Sequence, residues 1–429
     1  MAGLRRLFQC LQDPQLVASF QKCCGLFLEF EDRSVAKSGQ LNGSPQHSYG
    51  PSADKTEDFK NGMHVARLGV TCSSECNGTV RYRSHGSTQY SNGIYQNHVT
   101  ELPVRISTQR YVVKNYFFYY LFQFAAALGN EIFYITFLPC TYWNFDPYVS
   151  RRLVYVWAIV MYIGQASKDI LKLPRPCCPP VVKLETRVDA EYGMPSTHAM
   201  AATAISFTTL LSTLYRYKYP FEYGLMAALV LSCLVSLSRL YTGMHTVLDV
   251  ICGVLGSGII MAFTYPVWDI IDHLQLVSCY TPVFALVVPF LMSYNYPELD
   301  HYSTTRADTT TILGVASGSV LGFWLNYQFG RTYEPTGVLP FSIPQVTPAI
   351  VLVAVGRFVI GIVILLTTRQ VVKGASLYYL CAWHKVSIKD EDARQRLEIE
   401  VPYKFLTYSA IGFNATVVVP YAFQIFGLL

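Results

Sequence analysis

From residue 115 onward the chain alternates long apolar stretches with short polar or charged ones. The stretches cover 116–138, 153–167, 199–214, 219–237, 247–268, 276–294, 309–326, 346–367 and 405–428. A helix needs about 20 apolar residues to cross the hydrocarbon of a bilayer, and an open sheet cannot cross it at all. The pattern therefore predicts an all-α fold, a polytopic membrane helical bundle of about nine transmembrane helices. Aromatic residues gather near span ends (Tyr116, Tyr119, Tyr120, Trp143, Trp268), as an interfacial belt requires. The stretches 153–167 and 199–214 are short and run straight into charged or polar segments, the mark of functional ends.

The first part of the chain has another character. Leu4, Leu7, Phe8, Leu11, Leu16, Val17 and Phe20 recur at helical spacing, with Pro14 breaking the pattern. Gln9, Gln12 and Asp13 interrupt any continuous apolar core, which excludes a secretory signal. Residues 1–30 read as an interfacial amphipathic helix, or equally as a helix docked on the protein's own surface. Residues 31–114 read as a flexible polar tail, rich in Ser, Gly, Asn, Gln and His up to residue 104. It holds two glycosylation sequons, at Asn42 and Asn77, and a pair, Cys72 and Cys76, that could bridge in a lumenal tail. Residues 115–429 form the membrane domain.

Composition narrows the classes. Hydrophobic residues make up 52% and charged ones 14%, against roughly 25% charged in a soluble domain. Buried helices of a large soluble protein would leave too little polar surface. The net charge of +5 comes without a basic stripe, so nucleic acid is excluded as a partner.

Three polar clusters interrupt the apolar half: Lys168–Pro176, Gly193–His198 and Ser238–Asp249. An even number of crossings separates them, so all face one side of the membrane and can meet. Lys168, Arg175 and Arg239 are cations with no obvious acidic counterpart in those clusters, suited to phosphate oxygens. Pro195 fits a first helical turn, and the N–H groups of Ser196 and Thr197 would then face an anion, with the Ser196 hydroxyl as a further donor. His245 and Asp249 are spaced i,i+4, so the carboxylate can hold Nδ1 and leave Nε2 free to attack phosphorus. His198 stands where a proton donor to the leaving oxygen belongs. The substrate's tail is expected to stay in the bilayer.

These clusters resemble the three signature motifs of the type 2 phosphatidic acid phosphatase superfamily, with Thr197 where most members carry Gly. Within it, Pro174-Arg175-Pro176, the stretch 179–185 and the segment 396–403 resemble the sphingosine-1-phosphate phosphatases of the endoplasmic reticulum. The resemblance implies a metal-free, cofactor-free hydrolysis of sphingosine 1-phosphate and related long-chain base phosphates. It implies His245 as nucleophile, Asp249 orienting it and His198 as general acid and base. Lys168, Arg175, Ser196, Thr197 and Arg239 would bind phosphate. It also implies a site on the lumenal side, although Lys and Arg near the span ends are denser on the catalytic face, which the positive-inside rule assigns to the cytosol.

A broad-specificity lipid phosphate phosphatase is the alternative within the class. Arg357, charged in mid-span, with Glu131 as a candidate partner, keeps open a different class, a charged-lipid transporter or scramblase. Cys233-x5-Arg239 matches the spacing of a phosphatase thiolate loop, but it lies in an apolar span without the glycine such a loop needs.

Overall fold

Asp13 and Pro14 divide the first thirty residues. Helix α1 (Ala2–Leu11) ends before them, and α2 (Pro14–Cys23) starts on them, with the Asp13 carboxylate accepting from the Gln15 N–H at 2.9 Å. The computed structural model describes residues 2–29, 69–72, 107–185, 191–299, 301–335 and 337–428. The predicted single amphipathic helix is thus two short ones, and α2 is docked on the protein itself. Val17 and Ala18 pack against Val181, Ala199, Leu240 and Val250. The buried Gln21 side chain donates to the Val182 and Tyr241 carbonyls (2.7 and 2.8 Å) and accepts from the Val182 N–H (2.9 Å).

A small sheet corrects the all-α expectation. Strands β1 (Leu26–Glu29), β2 (Gly69–Cys72) and β3 (Ser107–Val113) form a three-stranded antiparallel sheet in the order β1-β3-β2, with Leu26 opposite Val113 and Cys72 opposite Ser107. Two strands thus come from the stretch read as a tail. The alternation that marks a strand is short there and sits among polar residues, so the local pattern was too weak to reveal it. Asn42, Cys76 and Asn77 lie outside the described residues.

The first apolar stretch does not make one helix. It breaks at Leu128–Asn130 into α3 (Tyr116–Ala127), capped by Asn115, and α4 (Glu131–Asn144). Then come α5 (Pro147–Leu171), α6 (Thr197–Thr213), α7 (Phe221–Tyr241), α8 (Val247–Thr264), α9 (Trp268–Val277), α10 (Thr281–Tyr294), α11 (Thr304–Gln328), α12 (Pro348–Trp383), the four-residue α13 (Glu391–Arg394), α14 (Leu397–Thr416) and α15 (Val418–Ile425). Among the described residues four helical segments are long and apolar enough to cross a membrane: α7, α8 with α9, α12, and α14 with α15. The others predicted as spans are shorter, or carry polar residues that face protein. Thus α5 buries Arg151 and Arg152, paired with Asp272, Glu334 and Asp269. A charge buried against a carboxylate inside the bundle lowers the apparent apolarity of a helix without exposing it to lipid.

Helices α5, α7 and α8 surround α6, while α11 lies along α14 and against α5. The two groups meet through α4 and α5, where Tyr134, Leu138, Leu153, Trp157, Ala201 and Ile312 make one core. Arg357 on α12 donates to the Trp143 and Leu428 carbonyls (2.9 and 2.6 Å), tying the end of the chain to α4. The side chain of Glu131 is outside the described residues.

Helix α8 approaches the start of α6 so closely that a Cβ on Gly253 would stand 2.7 Å from the Ser196 carbonyl oxygen. Gly253→Ala is expected to cost about 1–3 kcal/mol by forcing these helices apart, read as a lower thermal midpoint in detergent. An unchanged midpoint would contradict the close approach.

Candidate active site

Helix termini deliver every residue of the three clusters to one end of the bundle. Lys168 sits in the last turn of α5, which stops at Lys172 with a left-handed φ of 51°. Arg175 follows in the loop. Ser196 is the N-cap of α6, with Thr197 and His198 in its first turn. Arg239 is in the last turn of α7, His245 in the turn after it, and Asp249 in the first turn of α8. Lys168, Arg175, Thr197, His198, Arg239 and His245 all line one cavity of about 470 Å³. Ser196 and Asp249 stand behind that wall, fully buried.

The cations are not alone, as the sequence clusters suggested. A buried carboxylate, Glu191, lies between Lys168 Nζ (3.2 Å) and Arg175 Nη2 (3.4 Å) on one oxygen and accepts from Thr304 Oγ1 (2.9 Å) on the other. Arg175 also donates to the Glu191 and Met244 carbonyls (2.9 and 3.0 Å). Arg239 is held by both oxygens of Glu185, at 2.9 and 3.1 Å. Like charges gathered out of water need such counterions. Burial alone would raise the Glu191 carboxyl, but Lys168, Arg175 and the Thr304 hydroxyl hold it below the ordinary carboxylate range. Glu185, Glu191 and Thr304 lie outside the motif spacing, which is why the sequence pattern missed them. The available signal was carboxylates in the loop that joins the Lys168–Pro176 cluster to the Gly193–His198 cluster.

Two details of the expected anion cradle change. Pro195 precedes the N-cap of α6 rather than opening the helix, and the Ser196 N–H already donates to the Asp249 carbonyl at 3.0 Å. The groups left to meet an anion are the first-turn N–H of Thr197 and the side chains. The His245–Asp249 contact is looser than expected. Nδ1 and Oδ2 are 3.7 Å apart, because Oδ2 accepts from the Thr246 N–H at 2.8 Å in a capping box that starts α8. Catalytic hydrogen bonds are often long before substrate arrives.

Among the described residues, buried polar atoms without a partner at this end include Ser196 Oγ, His198 Nε2, His245 Nδ1 and Arg239 Nε. Unsatisfied buried groups are costly, so their concentration here marks a place where a polar ligand completes the bonding. The two rings share the cavity and sit within electrostatic reach of each other. A Cβ on Gly129, at the α3–α4 break, would stand 2.4 Å from His198 Cδ2, so the break in the first stretch makes room for that imidazole. Cys233 is exposed on α7 and takes no part.

Beyond the polar end the cavity continues into the bundle. Its wall follows α5 from Lys168 through Gln165, Met161, Trp157 and Val154 to Ser150, about 27 Å of helix at 1.5 Å per residue. Opposite walls come from α4, α11 and α14, including Leu138, Ile312, Phe323 and Ile411. A largely apolar cavity thus runs from the cations into the protein.

Burial, followed by the Arg175, Arg239 and Lys168 charges, lowers His245 well below the usual histidine range. The neutral ring therefore persists as pH falls through about 6.5. The unfolded chain binds that proton first, so this group withdraws stability as pH drops below 6.5. Nitrogen-15 NMR of histidine-labelled protein should show His245 uncharged at pH 6. Titration at or above 6.5 would contradict the site's electrostatics.

The PAP2 superfamily model matches residues 150–271, which contain all three clusters. The chain is 50% identical to human sphingosine-1-phosphate phosphatase 2 over 99% of its own length and 100% of the relative's. It is 36% identical to rat sphingosine-1-phosphate phosphatase 1, over 97% of each chain. A dihydrosphingosine 1-phosphate phosphatase of Schizosaccharomyces pombe is 29% identical over 47% of this chain and 51% of its own. No solved structure matches.

Proposed function

Because this chain belongs to the sphingosine-1-phosphate phosphatases of the PAP2 superfamily, we propose that it hydrolyses sphingosine 1-phosphate and related long-chain base phosphates through a phosphohistidine. The observation that carries the mechanism is the gathering of the His198 and His245 rings and the Arg239 guanidinium with Lys168 and Arg175 on one cavity, with the Ser196 hydroxyl behind its wall. Lys168, Arg175, Arg239, Ser196 and the Thr197 N–H bind the phosphoryl oxygens. His245 Nε2 attacks phosphorus as the P–O bond to the lipid breaks, and His198, which burial and then Arg239 hold below the ordinary histidine range until the phosphate dianion arrives, takes up a proton with the substrate and gives it to the departing alkoxide. The neutral His198 then takes a proton from water, whose oxygen attacks the phosphohistidine and releases inorganic phosphate and the free His245. Phosphoryl transfer of this kind rests on positioning and charge stabilisation more than on covalent chemistry by the protein. Asp249 keeps the nucleophile's ring oriented.

The cavity's reach along α5 supports a single-chain lipid as substrate, its tail along α5 and its head at the cations. The transport reading loses its motive, since Arg357 is engaged by the backbone carbonyls of Leu428 and Trp143. Residence in the endoplasmic reticulum membrane with a lumenal site is part of this proposal and rests on the family resemblance.

His245→Asn should abolish phosphate release from sphingosine 1-phosphate by purified protein while leaving expression intact, and His198→Ala should slow it by roughly 10²–10⁴-fold. Persistent turnover by the Asn variant would refute the nucleophile. For orientation, Asn42 or Asn77 should carry glycan that endoglycosidase removes. Cytosolic protease access to both positions in sealed microsomes would place the site on the other face.

A further inference from the structure

The counterions of the site are unequal. Glu191 is locked between Lys168, Arg175 and Thr304 with its side chain only 7% exposed. Glu185 has Arg239 as its ion-pair partner, and its side chain is 29% exposed. Both of its oxygens occupy the guanidinium fork, the geometry a phosphate takes on an arginine. A phosphate monoester that takes this fork displaces Glu185, and one bound at the unpartnered Nε lies beside the same carboxylate, so either way a dianion stands next to a carboxylate. That arrangement is repulsive unless the ligand brings its own cation.

Resting on the reading of this site as a long-chain base phosphatase, we propose that Glu185 is a specificity-determining residue that exchanges Arg239 for the substrate's ammonium group. A long-chain base phosphate carries that ammonium on the carbon next to the phosphoester carbon, a few ångströms from phosphorus. One substrate thus supplies both partners of the broken ion pair: its phosphate goes to Arg239 and its ammonium to Glu185. A lipid phosphate with a hydroxyl or an ester in place of the amine supplies only the first and leaves the carboxylate uncompensated. The neck of the cavity agrees with this chemistry. An ammonium donates three hydrogen bonds and accepts none. Gln165, 6% exposed and one turn below Lys168 on α5, lines the same cavity with its Oε1 buried and without a partner, a second acceptor beside the head. Selectivity here is a difference of affinities set by what the wrong ligand leaves unpaired.

The test uses full-length protein in detergent and two lipids, sphingosine 1-phosphate and the same chain with hydrogen in place of the amine. The quantity read is the ratio of their kcat/KM values for wild type, Glu185→Gln, Glu185→Asp and Asp308→Asn, Asp308 being a further carboxylate in the cavity wall. Glu185→Gln should lower the ratio by roughly 10- to 100-fold, the scale of a lost charge-assisted contact, mostly through the amine substrate. Glu185→Asp should lower it less. An equal fall on both lipids, an unchanged ratio, or a collapse in Asp308→Asn alone overturns the assignment. A wild type that releases phosphate from neither lipid overturns the phosphatase reading instead.

Discussion

Three cations at one buried point would repel one another and come apart without a carboxylate among them. Glu191 is that carboxylate. It bridges α5, the loop carrying Arg175 and the start of α11 through Lys168, Arg175 and Thr304. Asp169, the residue after Lys168, makes a parallel link, accepting from Tyr296 and Thr305 at 2.8 and 2.5 Å. The site is therefore held by polar bonds between helices whose apolar faces are elsewhere. Breaking one partner of such a buried set leaves uncompensated charge, which costs more than the pair contributes when whole.

The polar end and the cavity below it divide the labour. Motif residues at the ends of α5, α6, α7 and α8 and in the segments between them form the polar end. The cavity below it also needs α4, α11 and α14, which lie outside the residues matched by the superfamily model. The helices beyond the shared core thus supply much of the cavity wall below the polar end. The relatives that match over their whole length carry both parts.

The three clusters were legible in the sequence because their chemistry needs fixed residue types at helix termini, and the even number of crossings between them placed them on one face. The apolar periodicity likewise announced a helical membrane bundle. Four things were hidden, each for a physical reason. The helix break at 128–130 serves His198, a contact distant in sequence. The strands are too short to show an alternation. The capping box at Thr246 competes for the Asp249 oxygen that spacing alone awards to His245. Glu185 and Glu191 reach their cations through a loop whose path no periodicity describes.

The pairing of β1 with β3 has a consequence for how the chain tolerates change. Leu26–Glu29 lies against Arg110–Val113, and the Lys114 N–H donates to the Gly25 carbonyl at 2.7 Å, so the two ends of a long intervening stretch are clamped together. Gln21, just before the clamp, is bonded to the loop and helix end that carry Val182 and Tyr241. The entropy of closing a loop grows only with the logarithm of its length. The cost of bringing β1 to β3 therefore depends only weakly on how many residues separate them, and changes of length on either side of β2 are felt little by Gln21 and by the loop and helix end it holds.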